Sequence, residues 1–146
     1  MDTQTMEILL VEDNEDDIVL EREALAEAKL INLMSVVQDG VEAMAFLRRE
    51  GQYQNAQIPG LILLDINMPK KNGFEVLNEL KADPALVHIP VVMLTTSDNE
   101  ADIVKSYAKG ACSYITKPMD FDKFREVAKQ FALYWALVAR IPAHAR

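Results

Sequence analysis

The chain has 146 residues, half of them apolar and about a quarter charged, and its formal net charge is −8. That is one domain's length with enough apolar side chains for a sizeable core, and the acidity argues against a nucleic-acid or anionic-membrane partner. A single cysteine, Cys112, excludes an internal disulfide and fits a reducing compartment. With no basic-then-apolar leader and no apolar run of the ~20 residues a membrane helix needs, a cytoplasmic location is expected.

Short apolar runs alternate with amphipathic ones. Met6–Val11, "MEILLV", reads as a buried strand, and 15–28 as a helix with Leu20, Ala24 and Ala28 on its inward stripe and Ile18 and Leu25 beside it. "LMSVVQ" (33–38) is a second, more exposed strand. Asp39 with Glu42 suggests a capping box that opens a helix through "EAMAFLRRE" to about Gly51. The loop "QYQNAQIPG" leads to a third strand, 61–64. A third helix runs from Gly73 to about Lys81 with Val76, Leu77 and Leu80 inward, and Asp83-Pro84 stops it. "PVVMLTT" (90–96) is the fourth strand. Ser97 with Glu100 suggests another capping box, for a helix carrying Ile103 and Tyr107 and ending at Gly110. "SYIT" (113–116) is the fifth strand, and a last helix capped by Asp120 follows Pro118. One domain over 1–146 is expected, with a core at about 6–135, an extended last helix and a short tail.

Five β–α units in series predict an α/β fold: a doubly wound five-stranded parallel sheet, flavodoxin-like order 2-1-3-4-5, with helices on both faces. Such sheets bind ligands where the winding reverses, at the carboxyl ends of strands one and three. Strand one ends in Glu12 and Asp13, and strand three in Asp65. Two like charges ~4 Å apart cost about 4 kcal/mol at an effective dielectric of ~20, so a cluster of carboxylates calls for a divalent cation. An oxygen-only donor set suits Mg²⁺, with Mn²⁺ as a substitute. Strand four ends in Thr95-Thr96-Ser97, and Lys117 follows strand five. A carboxylate nucleophile, a cation, a hydroxyl and an ammonium are the parts of phosphoryl transfer onto aspartate.

The pieces "LLVEDNEDD", "LILLDINMPKKNG", "PVVMLTTSD" and "YITKP" together resemble the response-regulator receiver domain of two-component signalling, over about residues 6–135. The resemblance implies that Asp65 is the phosphoacceptor and that Glu12, Asp13, Asp65 and the Asn67 backbone carbonyl hold Mg²⁺. It implies that Thr95 and Lys117 contact the phosphoryl group, and that Tyr114 is the switch partner of Thr95. Asn67 and Ser97, two residues past Asp65 and Thr95, are placed to tune the lifetime of the acyl phosphate. The donor would be a sensor histidine kinase or phosphotransfer protein. The expected output is a phosphorylation-dependent contact with a downstream protein, and self-catalysed phosphoryl transfer and dephosphorylation are the only chemistry. "AMAFLRREGQYQN" and the apolar last helix further resemble small stand-alone regulators of the bacterial phytochrome-associated type.

Two other classes share some of these parts. A haloacid-dehalogenase-type phosphohydrolase also uses an aspartate nucleophile with Mg²⁺, but on strand one in an Asp-x-Asp pair; here strand one ends Glu-Asp, and position 67 is Asn. A flavodoxin-like FMN module needs a phosphate cradle after strand one, where "EDNEDD" would repel the phosphate. His88 and His144 lack metal-ligand spacing, Met34, Met44 and Met93 read as core filler, and Lys70-Lys71 reads as a solvated turn. The stretch "FALYWALV" is apolar on all sides, whereas a helix ending a domain needs only one buried face. A symmetric homodimer through Phe131, Tyr134, Trp135 and Val138, with part of the fourth helix and fifth strand, is therefore expected.

Overall fold

Successive strand residues point to opposite faces, so a strand buried at every position needs cover on both sides. The computed structural model describes residues 6–27, 31–95, 100–111, 113–116, 122 and 126. Within them β3 (Leu61–Asp65) and β4 (Val91–Thr95) are buried at every residue. With β1 (Met6–Val11), β2 (Ile31–Val37) and β5 (Ser113–Thr116) they form one parallel five-stranded sheet, order β2-β1-β3-β4-β5. This is the predicted doubly wound sheet.

Alternation divides the core. Leu9 and Val11, Ile62 and Leu64, Val91 and Met93 join the apolar cluster that also holds Phe46, Val76 and Leu77. Those last three belong to α2 (Gly40–Leu47) and α3 (Gly73–Ala82). Leu10, Leu63 and Leu94, on the alternate positions, are equally buried. Met44 and Met93 fill the core as expected, while Met34 is half-buried on the edge strand β2.

Helix ends follow the polar residues. Asn14 caps α1 (Glu15–Glu27), its side chain accepting from the Asp17 N–H at 3.0 Å. On this helix Glu21 is fully buried, whereas Leu20, expected inward, is 37% exposed. Asp39 caps α2 through the Glu42 N–H, but Glu42 does not close the predicted box. Its carboxylate accepts a hydrogen bond from the Tyr53 hydroxyl, and partial burial followed by that carboxylate holds the phenol above its usual pKa. The complete box lies on α3, where Asn72 and Glu75 cap each other reciprocally at 3.0 Å. α2 stops before the predicted Gly51 because Arg49 takes a left-handed φ of 57°. A short 3₁₀ turn, Gly51–Tyr53, then occupies the start of the expected loop and stacks Tyr53 on Phe46 at 5.3 Å between ring centroids.

α4 (Glu100–Ala108) ends as predicted at Gly110, whose φ is 101° and whose N–H donates to the Tyr107 carbonyl. Its buried residue is Ser106, bonded back to the Asp102 carbonyl at 2.8 Å; Val104 and Tyr107 are 59% and 47% exposed. The Tyr107 ring meets Tyr114 of β5 edge-on, centroids 6.0 Å apart. Among the described residues no helix is long and apolar enough to cross a membrane. The Ser97–Glu100 capping box, Cys112, Pro118, Asp120 and the last helix lie outside the described residues.

The start of α3 sits directly on the end of β3. A Cβ added to Gly73 would lie 2.4 Å from the Asp65 carbonyl oxygen and 2.8 Å from the Ile66 Cα. Both are backbone atoms that cannot rotate away. Gly73→Ala should lower stability by about 1–3 kcal/mol despite alanine's better helix propensity, because overpacking outweighs a gain of at most ~1 kcal/mol. Urea unfolding midpoints check this.

Candidate functional site

Parallel registers decide which strand ends meet. Val11 of β1 pairs with Leu64 of β3, so the next residues of each strand, Glu12 and Asp65, emerge side by side. Glu12, Asp13 and Asp65 each bring a carboxylate oxygen within 4.8 Å of the other two. Glu12 is fully buried and Asp65 is 3% exposed, whereas Asp13 faces solvent. The sequence placed these three residues at the switch point, and the structure brings them together.

The backbone holds each carboxylate in place. The Asn14 N–H donates to Glu12 Oε2 at 3.2 Å, and the Asn67 N–H donates to Asp65 Oδ1 at 3.1 Å. The Glu12 N–H in turn donates to the Val37 carbonyl at 3.0 Å. Beyond Asp65 the loop closes on itself, since the Gly73 N–H donates to the Ile66 carbonyl at 2.9 Å and the Ile66 N–H to the Leu94 carbonyl at 2.9 Å. Gathered acidic groups of this kind repel strongly, yet only oxygen donors are present. That donor set, part buried and open to solvent at Asp13, fits a hard divalent cation such as Mg²⁺ or Mn²⁺.

The remaining predicted residues divide into two groups. Asp65 pairs with Leu94 of β4, so Thr95 stands one residue further along the neighbouring strand, buried at 1% exposure. Tyr114 pairs with Met93 one strand over and is partly buried against the core. Asn67 is exposed at the start of the β3–α3 loop. Lys117, Ser97, Phe131, Tyr134, Trp135 and Val138 lie outside the described residues.

The sequence reading missed how the loop beside Asp65 is anchored. Lys70 is exposed, as a solvated turn predicts, but both lysines of Lys70-Lys71 have ion-pair partners. The Lys70 ammonium is 3.4 Å from Asp39 Oδ2, and Lys71 pairs with Glu79 of α3. Arg48 joins Glu79 at 3.6 Å and Asp83 at 3.9 Å, tying the end of α2 to α3. No local pattern marks these partners, which are eight to thirty-five residues apart in the chain. Asn72 followed three residues later by Glu75 did carry a signal, the same one read at Asp39 and Glu42.

Residues 8–129 match the family described as "Response regulator receiver domain". The chain is 42% identical over 136 residues to "Response regulator Rcp1" of Synechocystis sp., covering 93% of this chain and 92% of that protein. Among solved structures it is similar to the phosphorylated cyanobacterial phytochrome response regulator RcpA, at 48% identity and a TM-score of 0.80, covering 95% of this chain and 99% of the other. It is also similar to the Mn²⁺-bound form of Rcp1, at 41% identity and a TM-score of 0.78, over 94% and 99% of the two chains.

Charge repulsion in the cluster makes stability depend on the cation. In metal-free buffer, Asp13→Asn should be more stable than the wild type, because one like charge is gone. At Mg²⁺ tenfold above its dissociation constant the wild type should gain about 1.4 kcal/mol, and the variant clearly less. Urea unfolding with and without Mg²⁺ reads the difference, and equal gains in both proteins would contradict the site.

Proposed function

The chain belongs to the response regulator receiver domain family of two-component phosphorelay proteins, and on that premise we propose that Asp65 takes a phosphoryl group from a phosphohistidine. The donor class is a histidine kinase or phosphotransfer protein. What carries this reading is the buried Asp65 carboxylate gathered with Glu12 and Asp13 within 4.8 Å at the switch point of the sheet. The placement of Asp65 on β3 rather than β1 separates it from a haloacid-dehalogenase nucleophile.

Glu12, Asp13, Asp65 and the Asn67 backbone carbonyl would hold Mg²⁺, with Mn²⁺ as a substitute. Bound there, the cation supplies positive charge to the oxygens of the transferring phosphoryl group. An Asp65 carboxylate oxygen forms the new O–P bond as the P–N bond of the phosphohistidine breaks, and the imidazole leaves with the electron pair. The Thr95 hydroxyl and Lys117 ammonium donate to phosphoryl oxygens. Asn67 and Ser97, two residues past Asp65 and Thr95 in the sequence, tune the lifetime of the product.

Thr95 then turns toward the phosphoryl group, and Tyr114 moves into the space it leaves. Tyr107 of α4 packs edge-on against Tyr114, so a shift of Tyr114 reaches the outer face of α4, where Val104 and Tyr107 are exposed. That face, with Phe131, Tyr134, Trp135 and Val138 of the last helix, forms a symmetric homodimer. The output is a contact with a downstream protein, not the turnover of a substrate. The whole chain acts as one receiver domain in the cytoplasm.

Three experiments test this reading. Asp65→Asn should abolish Mg²⁺-dependent labelling by acetyl phosphate. Thr95→Ala should still label but lose most of the phosphorylation-dependent change in partner binding or assembly; full labelling of Asp65→Asn would refute the site. For the dimer, sedimentation at tens of micromolar should show wild-type dimers and a weaker Trp135→Ala dimer. A wild type that stays monomeric with and without phosphodonor would exclude that interface.

A further inference from the structure

The corner between β2 and α2, residues 37–40, touches both chain segments that carry the acidic cluster. On one side the Val37 carbonyl accepts the Glu12 N–H at 3.0 Å, so the backbone of the first carboxylate hangs from the end of β2. On the other, Asp39 and Gly40 grip the β3–α3 loop. Asp39 Oδ1 accepts the Glu42 N–H at 2.8 Å as the cap of α2, and Oδ2 faces the Lys70 ammonium at 3.4 Å. A Cβ on Gly40 would lie 2.3 Å from the Lys71 carbonyl, so the first turn of α2 rests directly on the backbone of that loop. Lys70 itself has a left-handed φ of 66°, a conformation that a residue with a Cβ keeps only when its surroundings hold it there.

We infer that Asp39 and Lys70 are positioning residues for the cation site, which they shape by clamping the β3–α3 loop to the β2–α2 corner. The inference rests on the reading of Glu12, Asp13 and Asp65 as cation ligands. The loop between Asp65 and α3 carries Asn67, and is tied to α3 by Lys71 with Glu79 and by the Gly73 N–H on the Ile66 carbonyl. Those bonds fix its far end. The Lys70–Asp39 pair, with the Gly40 contact on Lys71, links it to the strand edge holding Glu12. Releasing the pair loosens the loop against that corner, which displaces the Asn67 carbonyl from the carboxylates held by the β1–β3 pairing.

Charge alone predicts the opposite sign, and that makes the inference testable. Lys70 carries a positive charge near a cation site, so if it acted only through space, its removal would tighten Mg²⁺ binding. If it acts by position, removal weakens binding. The pair is exposed at Lys70, 66% accessible, which limits the effect to roughly fivefold.

Calorimetric titration of Mg²⁺, and separately Mn²⁺, into the full chain without phosphodonor is the experiment. Lys70→Gln should weaken the affinity two- to fivefold. Asp39→Asn keeps a good helix cap and should weaken it at least as much, since it loses the pair and a negative charge. Lys70→Gln added to Asp39→Asn should bring no further loss. Unchanged urea midpoints distinguish positioning from unfolding. Wild-type binding that Lys70→Gln leaves equal or tightens, or a further loss in the double variant, would overturn the inference while leaving the cation site intact. A wild type that binds neither ion would overturn the site itself and this inference with it.

Discussion

Repulsion among the carboxylates at the end of β1 and β3 is the constraint around which the molecule is arranged. Glu12, Asp13 and Asp65 are held within 4.8 Å of each other, and two of them are buried. At an effective dielectric of ~20 one such pair opposes folding by about 4 kcal/mol. Burial of the strand residues just behind them opposes a penalty of that order. Leu9, Leu10, Leu63 and Leu64 are each at most 2% exposed, and at about 1.5–3 kcal/mol apiece they supply roughly 6–12 kcal/mol as an upper bound. The apolar sheet behind the cluster therefore helps to hold its charges in place. The cluster is available for chemistry because stability comes from elsewhere.

Close backbone contacts turn that stability into position. Gly73 lets α3 start against the Asp65 carbonyl, and Gly40 lets α2 start against the Lys71 carbonyl. At neither position is the glycine serving a positive φ; each lacks a Cβ because another chain segment fills that volume. The loop between Asp65 and α3 is consequently tied on two sides, by Lys70 to Asp39 and by Lys71 to Glu79. Side chains on the opposite edge are arranged more openly. Tyr114 is only partly buried, and Tyr107 packs on it while remaining exposed. The contrast suits a protein with a fixed site and a surface that responds to it.

Much of this was legible before any coordinates. Four aliphatic residues running into Asp65, an acidic pair after the first strand, and five alternating units determined the sheet order and the switch-point cluster, because parallel strands of this kind leave few topologies. Errors fell where a pattern had two readings. Leu20 and Glu21 are adjacent on a helix whose apolar stripe is weak, and it is Glu21 that is buried. Glu42 had the spacing of a capping box, yet a tyrosine eleven residues away claimed its carboxylate. Lys70 and Lys71 looked solvated because their partners, Asp39 and Glu79, are not neighbours in sequence.

The sequence by itself determined the element order, the sheet's winding and the identity of the acidic residues at its switch point. Each follows from local periodicity and from where the strands end. Only the tertiary structure decided how the loop beside Asp65 is anchored, which glycines are required by packing, and that Tyr107 leans on Tyr114. Those depend on how separate elements pack against one another, and a distance between side chains is set by packing, not by spacing along the backbone.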